Sequence, residues 1–214
     1  MKSLLLGIVL IVVIGLGGLV YRNAVEHPNR PIACPMDARL CPDGTAVART
    51  GNSCTFPACP PPNVSLAEVG IAYAVPEGFV PTTLPDAAGI ASYQKAGPTP
   101  QEPSHIIIRR FVVSASTTAL ATIQQTAIGG ASGEPVPITA YSSAVLGTYR
   151  FTVVAIERFE AVIDTAYYLA RGTDILRFDA IDRGVVNWTD PNLDISTLPA
   201  NTALRKLLAT LEGG

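Results

Sequence analysis

The chain has 214 residues, with 15 Lys plus Arg against 17 Asp plus Glu, and only 15% of its residues are charged. Gly and Pro number 18 each, which suits a β-rich body with many turns and excludes a helical bundle or a solenoid. The longest basic cluster, Arg109-Arg110, lies inside an apolar run, so a nucleic-acid surface built on basic patches is excluded as well.

The chain opens on Leu4–Val20, seventeen residues without a charge or a strong polar group. As an α-helix this run reaches roughly 26 Å, the low end of what spans a bilayer core. Tyr21-Arg22 closes it with an aromatic ring and a snorkelling cation. We expect a single-pass membrane anchor over residues 1–21, with the lipid bilayer as its partner and everything after it outside the cytoplasm. A cleaved signal peptide, with Gly15 and Gly17 before the cut, is the alternative and makes the protein secreted. Ile32-Ala33-Cys34 has the local look of a lipobox, but Glu26, His27 and Arg30 separate it from the apolar run.

Residues 22–63 form the expected stalk module. The four cysteines, Cys34, Cys41, Cys54 and Cys59, follow the pattern C-x6-C-x12-C-x4-C. An even count in a short Pro-rich segment behind an export signal reads as two disulfides, with three connectivities open. No pair has the C-x2-C spacing of a zinc knuckle, so no metal is expected here. Pro42-Asp43-Gly44 is turn chemistry. The segment resembles short four-cysteine CPDG-type stretches of bacterial exported and membrane-anchored proteins, a resemblance covering about 30 residues that implies no activity. It is also similar to Kazal-type protease inhibitors, since Asp43-Gly44 follows Cys41 and Asn52 sits two before Cys54, although Kazal domains use six cysteines. That likeness implies a second function, protease inhibition with Arg49 in the S1 pocket. Pro60-Pro61-Pro62 favours a stiff polyproline II strut and ends the module near residue 63.

Residues 64–214 read as an extracytoplasmic α+β domain with a mostly antiparallel sheet, one internal helix and one C-terminal helix. Strands are expected over Val69–Val75, Gly89–Gln94 and Ser104–Ser114, the last rich in β-branched residues. A loop built on Gly97-Pro98-Thr99-Pro100 separates the second from the third. Ser116 or Thr117 can cap a helix running through Ile128, with Gly129 just past its end. Further strands are expected over Val136–Leu146, Thr148–Ile156, Ala161–Arg171 and Asp174–Asp182, with a hairpin or bulge at Glu157–Glu160.

In the last strand Leu176, Phe178 and Ala180 alternate with Arg177 and Asp179, the pattern of a sheet with one wet face. The same reasoning makes one of Tyr167 and Tyr168 buried and the other wet. A final helix from about Ala200 to Leu211 carries Leu204, Leu207, Leu208 and Leu211 as one apolar stripe. Both helices are expected on one face of the sheet. In outline this order is similar to Mog1/PsbP-type α/β/α folds, a likeness that implies a fold and no function.

Chemistry-bearing patterns are sparse. His105 opens a strand with no acid or nucleophile beside it, and His27 lies near the apolar run. Asp190, Asn192 and Asp194 reproduce the opening of a calcium loop, but Ile195 and Asn201 stand where glycine and a bidentate Glu belong, so Asx-turns explain them. Trp188 reads as a packing anchor. Asn63-Val64-Ser65 and Asn187-Trp188-Thr189 are formal glycosylation sequons. An enzyme would need His105, or a carboxylate pair such as Asp179 and Asp182, converging on a pocket. With no catalytic constellation, cofactor or metal site in view, the leading expectation is non-catalytic binding of an envelope protein or a small ligand. It calls for an exposed apolar patch, or a concave pocket with few titratable groups.

Overall fold

The computed structural model describes residues 2–26, 33–97 and 103–213. Glu26's side chain, His27, Arg30 and residues 98–100 of the expected loop lie outside that description, as do the side chains of residues 2–6. The chain divides into two compact units, residues 1–39 with 47–57, and residues 40–46 with 58–214.

In the first unit, helix α1 (Lys2–Glu26) runs for 25 residues. Its large apolar side chains from Ile8 to Val20 are exposed. Among the described residues no helix is long and apolar enough to cross a membrane; side chains are described over 7–22 and at 25. A disulfide joins Cys34 to Cys54. Nearby, Arg49 bonds Asp37 through Nε at 2.8 Å and the Cys54 carbonyl at 3.1 Å, and stacks 4.2 Å over the Phe56 ring. A second disulfide, Cys41–Cys59, belongs to the other unit. Between the cysteines, β1 (Ala38–Leu40) and β2 (Ala46–Ala48) make a two-stranded sheet.

The second unit is an α+β domain. A hairpin of β3 (Val64–Leu66) and β4 (Ile71–Tyr73) leads to β5 (Phe79–Pro81), β6 (Gly89–Lys95) and β7 (His105–Val112). Helix α2 (Ala119–Thr126) follows, then β8 (Ser142–Leu146), β9 (Tyr149–Phe159), β10 (Val162–Arg171), β11 (Asp174–Asp182) and α3 (Pro199–Ala209). The large sheet has the order β5-β6-β7-β11-β10-β9-β8, with antiparallel neighbours throughout.

Several elements differ from expectation for local reasons. The strand over Val69–Val75 shrinks to Ile71–Tyr73, because Ala67–Val69 is a 3₁₀ turn closed by Gly70 at φ 60°. The cap of α2 is Thr118, whose hydroxyl accepts from Ala121 N; Thr117 is bonded back to Ser114 and is not free for the task. That helix ends at Thr126, and Ile128 bridges to Pro135. Residues 138–140 form a 3₁₀ turn that delays β8 to Ser142. Glu157 to Phe159 extends β9, and Glu160-Ala161, with φ 49° and 63°, makes the tight turn into β10. Ile156 is the extra residue of a bulge, since Glu157 pairs with Asp164 and Ala155 with Thr165.

The sheet is covered on both faces, which corrects the expectation of helices on one. Residues paired across an antiparallel ladder share a face, so Leu176, Phe178 and Ala180 stand with Leu169, Tyr167 and Thr165. On that side lies the main core, where Leu204, Leu207, Leu208 and Leu211 are all buried. Four such leucines contribute about 6–12 kcal/mol, an upper figure for an extended unfolded chain. Phe151 sits at the centre, edge-on to Phe178 at 6.1 Å and to Tyr167 at 6.4 Å. The opposite face, with Ile175, Arg177 and Asp179, packs a second cluster against Ile123 and Ala127 around α2. Both Tyr167 and Tyr168 are therefore buried, and the face expected to be wet is closed.

Candidate functional site

The concave surface of the second unit lies beside the short edge strand β5. Val64 and Leu66 of β3, Val75, Pro76, Glu77, Gly78 and Phe79 of the turn after β4, Pro81, Thr82 and Leu84, and Ile90 to Tyr93 of β6 line a cleft of about 740 Å³. Its position follows from the sequence. β4 ends at Tyr73, Pro76 lies in the loop that follows, and Gly78, at φ 81°, lets the chain reverse so that Phe79 enters β5. Pro81 has no N–H for a further strand, so the edge stays open beside the cleft.

The floor is rigid. Tyr73 and Tyr93 meet edge-on at 6.3 Å with their hydroxyls 2.7 Å apart, and burial raises the pKa of both. Apolar side chains dominate the wall, and Glu77 is the carboxylate among the lining residues. Asn63, at the rim, has its amide oxygen occupied by Val75 N at 2.9 Å.

On the other side of the Val75–Phe79 turn is a cleft of about 670 Å³ with more charged groups, lined by Asp43, Glu77, Lys95 and Lys206 together with Val75, Phe79, Pro199 and Ala203. Its far wall is the Pro42-Asp43-Gly44 turn. Asp43 Oδ1 accepts from Thr45 N at 3.0 Å and Thr45 Oγ1 at 2.8 Å, and Gly44 N donates to Cys41 O at 2.9 Å. Gly44 is favoured by its backbone, at φ 86°, while the Lys206 side chain that passes over it, with Nζ 2.8 Å from where a Cβ would stand, is flexible.

The α2 face holds a different cluster. Asp179, fully buried, accepts from Arg177 Nε at 2.6 Å and from Arg109, which also bonds Asp86 at 2.8 Å. Arg177 donates through a second nitrogen to Thr126 O, at the C-terminal end of α2 where a cation is favoured. Asp164 completes the row at 3.8 Å from Arg177, and its Oδ1 has no hydrogen-bond partner among the described residues. Burial first, and then the Asp179 charge, push Asp164 well above the ordinary carboxylate range. Burial likewise pushes the Tyr168 phenol up to about 12. With both guanidiniums bonded to Asp179, Asp164 has the weaker cation support, 3.8 Å from Arg177, and burial disfavours its charged form.

The structure does not bring together the residues that an enzyme reading required. Asp179 and Asp182 point to opposite faces, and Asp182 is spent on α3, accepting from Ala200 N at 2.7 Å and Asn201 N at 3.1 Å. His105 is half-buried, opposite Ile181 and Gln94, and lines none of the clefts described above. Asp190 accepts from Asn192 N, and Asp194 from Ser196 N and Oγ, so these are Asx-turns. Among the described residues no group of three or more His, Cys, Asp or Glu converges as a metal site. Trp188 packs edge-on to Phe159 at 6.3 Å. Arg49 is tied to Asp37, Cys54 and Phe56.

The cleft residues carry no contiguous signal in the sequence, because they come from four separate segments. The usable signal was two prolines bracketing Phe79, at Pro76 and Pro81, with an apolar strand following.

No protein-family model matches the chain, and no curated protein matches it. Solved structures similar to the chain include the solution structure of cyanobacterial PsbP (CyanoP) from Synechocystis sp. PCC 6803, at 9% identity and a TM-score of 0.45, over 71% of this chain and 91% of that one. A protein from Bacteroides thetaiotaomicron VPI-5482 is similar at 10% identity and a TM-score of 0.41, over 67% of this chain. The chain spans 45% of that protein's length.

Proposed function

We propose that this chain is a membrane-anchored extracytoplasmic binding protein whose cleft beside β5 takes an apolar ligand, either a small molecule or an extended segment of an envelope protein. The observation that carries the reading is the cleft itself, concave, about 740 Å³, walled by apolar side chains and holding Glu77 as its carboxylate. That volume lies within the range of small-molecule sites, which are largely apolar with few polar groups.

Two further features support the setting. Two disulfides close the segment between Cys34 and Cys59, which suits an oxidising compartment. Helix α1 runs 25 residues with apolar side chains exposed on every side, which suits lipid as the surrounding medium. The more charged cleft beyond the Val75–Phe79 turn would meet whatever part of the ligand leaves the apolar one.

The test is fluorescence titration of a neutral apolar probe, N-phenylnaphthylamine, into a fragment from residue 33 onward that melts cooperatively. We expect saturable enhancement at one site, abolished by Ala91→Trp, which fills the cleft. Absence of saturation, or equal binding by the filled variant, refutes the reading.

A further inference from the structure

The two edges of the large sheet are built differently. At one edge β5 has three residues and ends on Pro81, and the outward positions, Phe79 and Pro81, offer carbonyls but only one N–H, which Phe79 gives to Pro76 O. That edge is guarded in the usual way against pairing with another chain. At the other edge β8, Ser142-Ser143-Ala144-Val145-Leu146, carries no charge, no proline and no register shift against β9.

The phasing of β8 is fixed by its turn. Leu146 pairs with Tyr149 across the two-residue loop Gly147-Thr148, with Gly147 at φ 60°. In such a hairpin the flanking pair exchanges both hydrogen bonds, and bonded and non-bonded pairs then alternate. Ala144 with Phe151, and Ser142 with Val153, are bonded inward, while Ser143 and Val145 direct their N–H and C=O away from β9. Both residues are exposed, and no backbone partner occupies those groups among the described residues. Val145 also leaves 59% of its surface in solvent.

We propose that β8 pairs antiparallel with β8 of a second copy of this chain, about a two-fold axis at Ala144, to give a continuous fourteen-stranded sheet. The arrangement is self-complementary. Ser143 of each copy faces Val145 of the other, and the two pairs exchange four hydrogen bonds, using every outward donor and acceptor of both residues. Ala144 meets Ala144 on the axis, where a large side chain would crowd. A foreign peptide is disfavoured by the same surface. Strand addition draws its specificity from pockets for alternate side chains, and none of the clefts described beside the sheet is lined by β8. The pairing is independent of what the cleft binds.

The test uses the full chain, purified into liposomes and also in its native membrane, under mild oxidation with copper phenanthroline. Across the axis the two Ala144 Cα atoms would lie roughly 4.5 Å apart, close enough for a disulfide, whereas Thr148 would lie on the order of 27 Å from its mate. We expect Ala144→Cys to form a species of twice the mass at least tenfold faster than Thr148→Cys. Adding Val145→Pro, which removes an outward N–H and leaves the pairing with β9 intact, should abolish that species while the melting temperature holds. Equal rates for the two cysteines, or insensitivity to Val145→Pro, overturn the proposal. An adduct of different mass in the native membrane overturns it too, and assigns the edge to a foreign strand.

Discussion

Replacing Asp182 by alanine tests how the last helix is held. Pro199 at the start of α3 and Leu198 before it provide no side-chain cap, and the carboxylate at the end of β11 does that work from another element. It accepts from Ala200 N, Asn201 N and Ser104 Oγ at 2.7, 3.1 and 3.2 Å. Ala200 and Asn201 are 0% and 2% exposed, so water cannot take over the two amides. An orphaned buried donor costs about 1–3 kcal/mol, against about 1 kcal/mol for losing an ordinary exposed cap. Removing a carboxylate that burial disfavours returns part of that, and we expect a net loss of about 2–4 kcal/mol. For a domain of this size the loss lowers Tm by about 5–12 °C. Burial raises the pKa of Asp182, so its contribution is fullest below the ordinary carboxylate pKa and declines as pH rises through the folded value. The penalty of Asp182→Ala should accordingly be larger at pH 4 than at pH 8. Urea and thermal unfolding followed by circular dichroism measure both. A loss under about 1 kcal/mol refutes the trans-cap, and a penalty that grows with pH refutes burial as the dominant influence on the Asp182 carboxyl.

Asp164→Asn should stabilise the protein at pH 8 and leave it little changed near pH 4. The folded state holds the Asp164 proton above the pH at which the unfolded chain releases it, so the wild type loses this contribution as pH rises while the amide does not. Urea midpoints at the two pH values check this, with Glu157, Arg109, Arg177 and Asp179 as the charged groups around it. Ala161→Gly should stabilise by up to about 1 kcal/mol, since the turn puts a Cβ-bearing residue at φ 63° where glycine has no steric penalty. A destabilisation in thermal melts would show that the Ala161 methyl contributes more than its strain costs.

The sequence patterns that survived best are those with many repeats of one signal. Ser104–Ser114 became β7 within a residue or two, Asp174–Asp182 became β11 as it stands, and the leucine stripe of α3 is buried throughout. The two disulfides were legible as a pair, but their connectivity was not, since spacing alone allows three pairings. The alternation of Arg177 and Asp179 with apolar residues looked wet because periodicity carries no partner information. Only the side-chain bonds, with Asp179 accepting from both Arg177 and Arg109, show that the charges neutralise one another on the α2 face. Val69–Val75 reads as one strand because the sequence does not show that Gly70, its second residue, is left-handed. The cleft was out of reach for a related reason. Its walls come from residues 63–66, 75–82, 84 and 90–93, and only the packing of β3–β4 beside β5–β6 assembles them.

The most direct measurement of the binding proposal is amide NMR of the fragment from residue 33 onward, titrated with N-phenylnaphthylamine. We expect saturable shifts confined to residues 63–66, 75–84 and 90–93, and none at Phe159 or Val186, which are exposed apolar residues away from the cleft. No saturable shifts, or shifts centred on Phe159 and Val186, would contradict it.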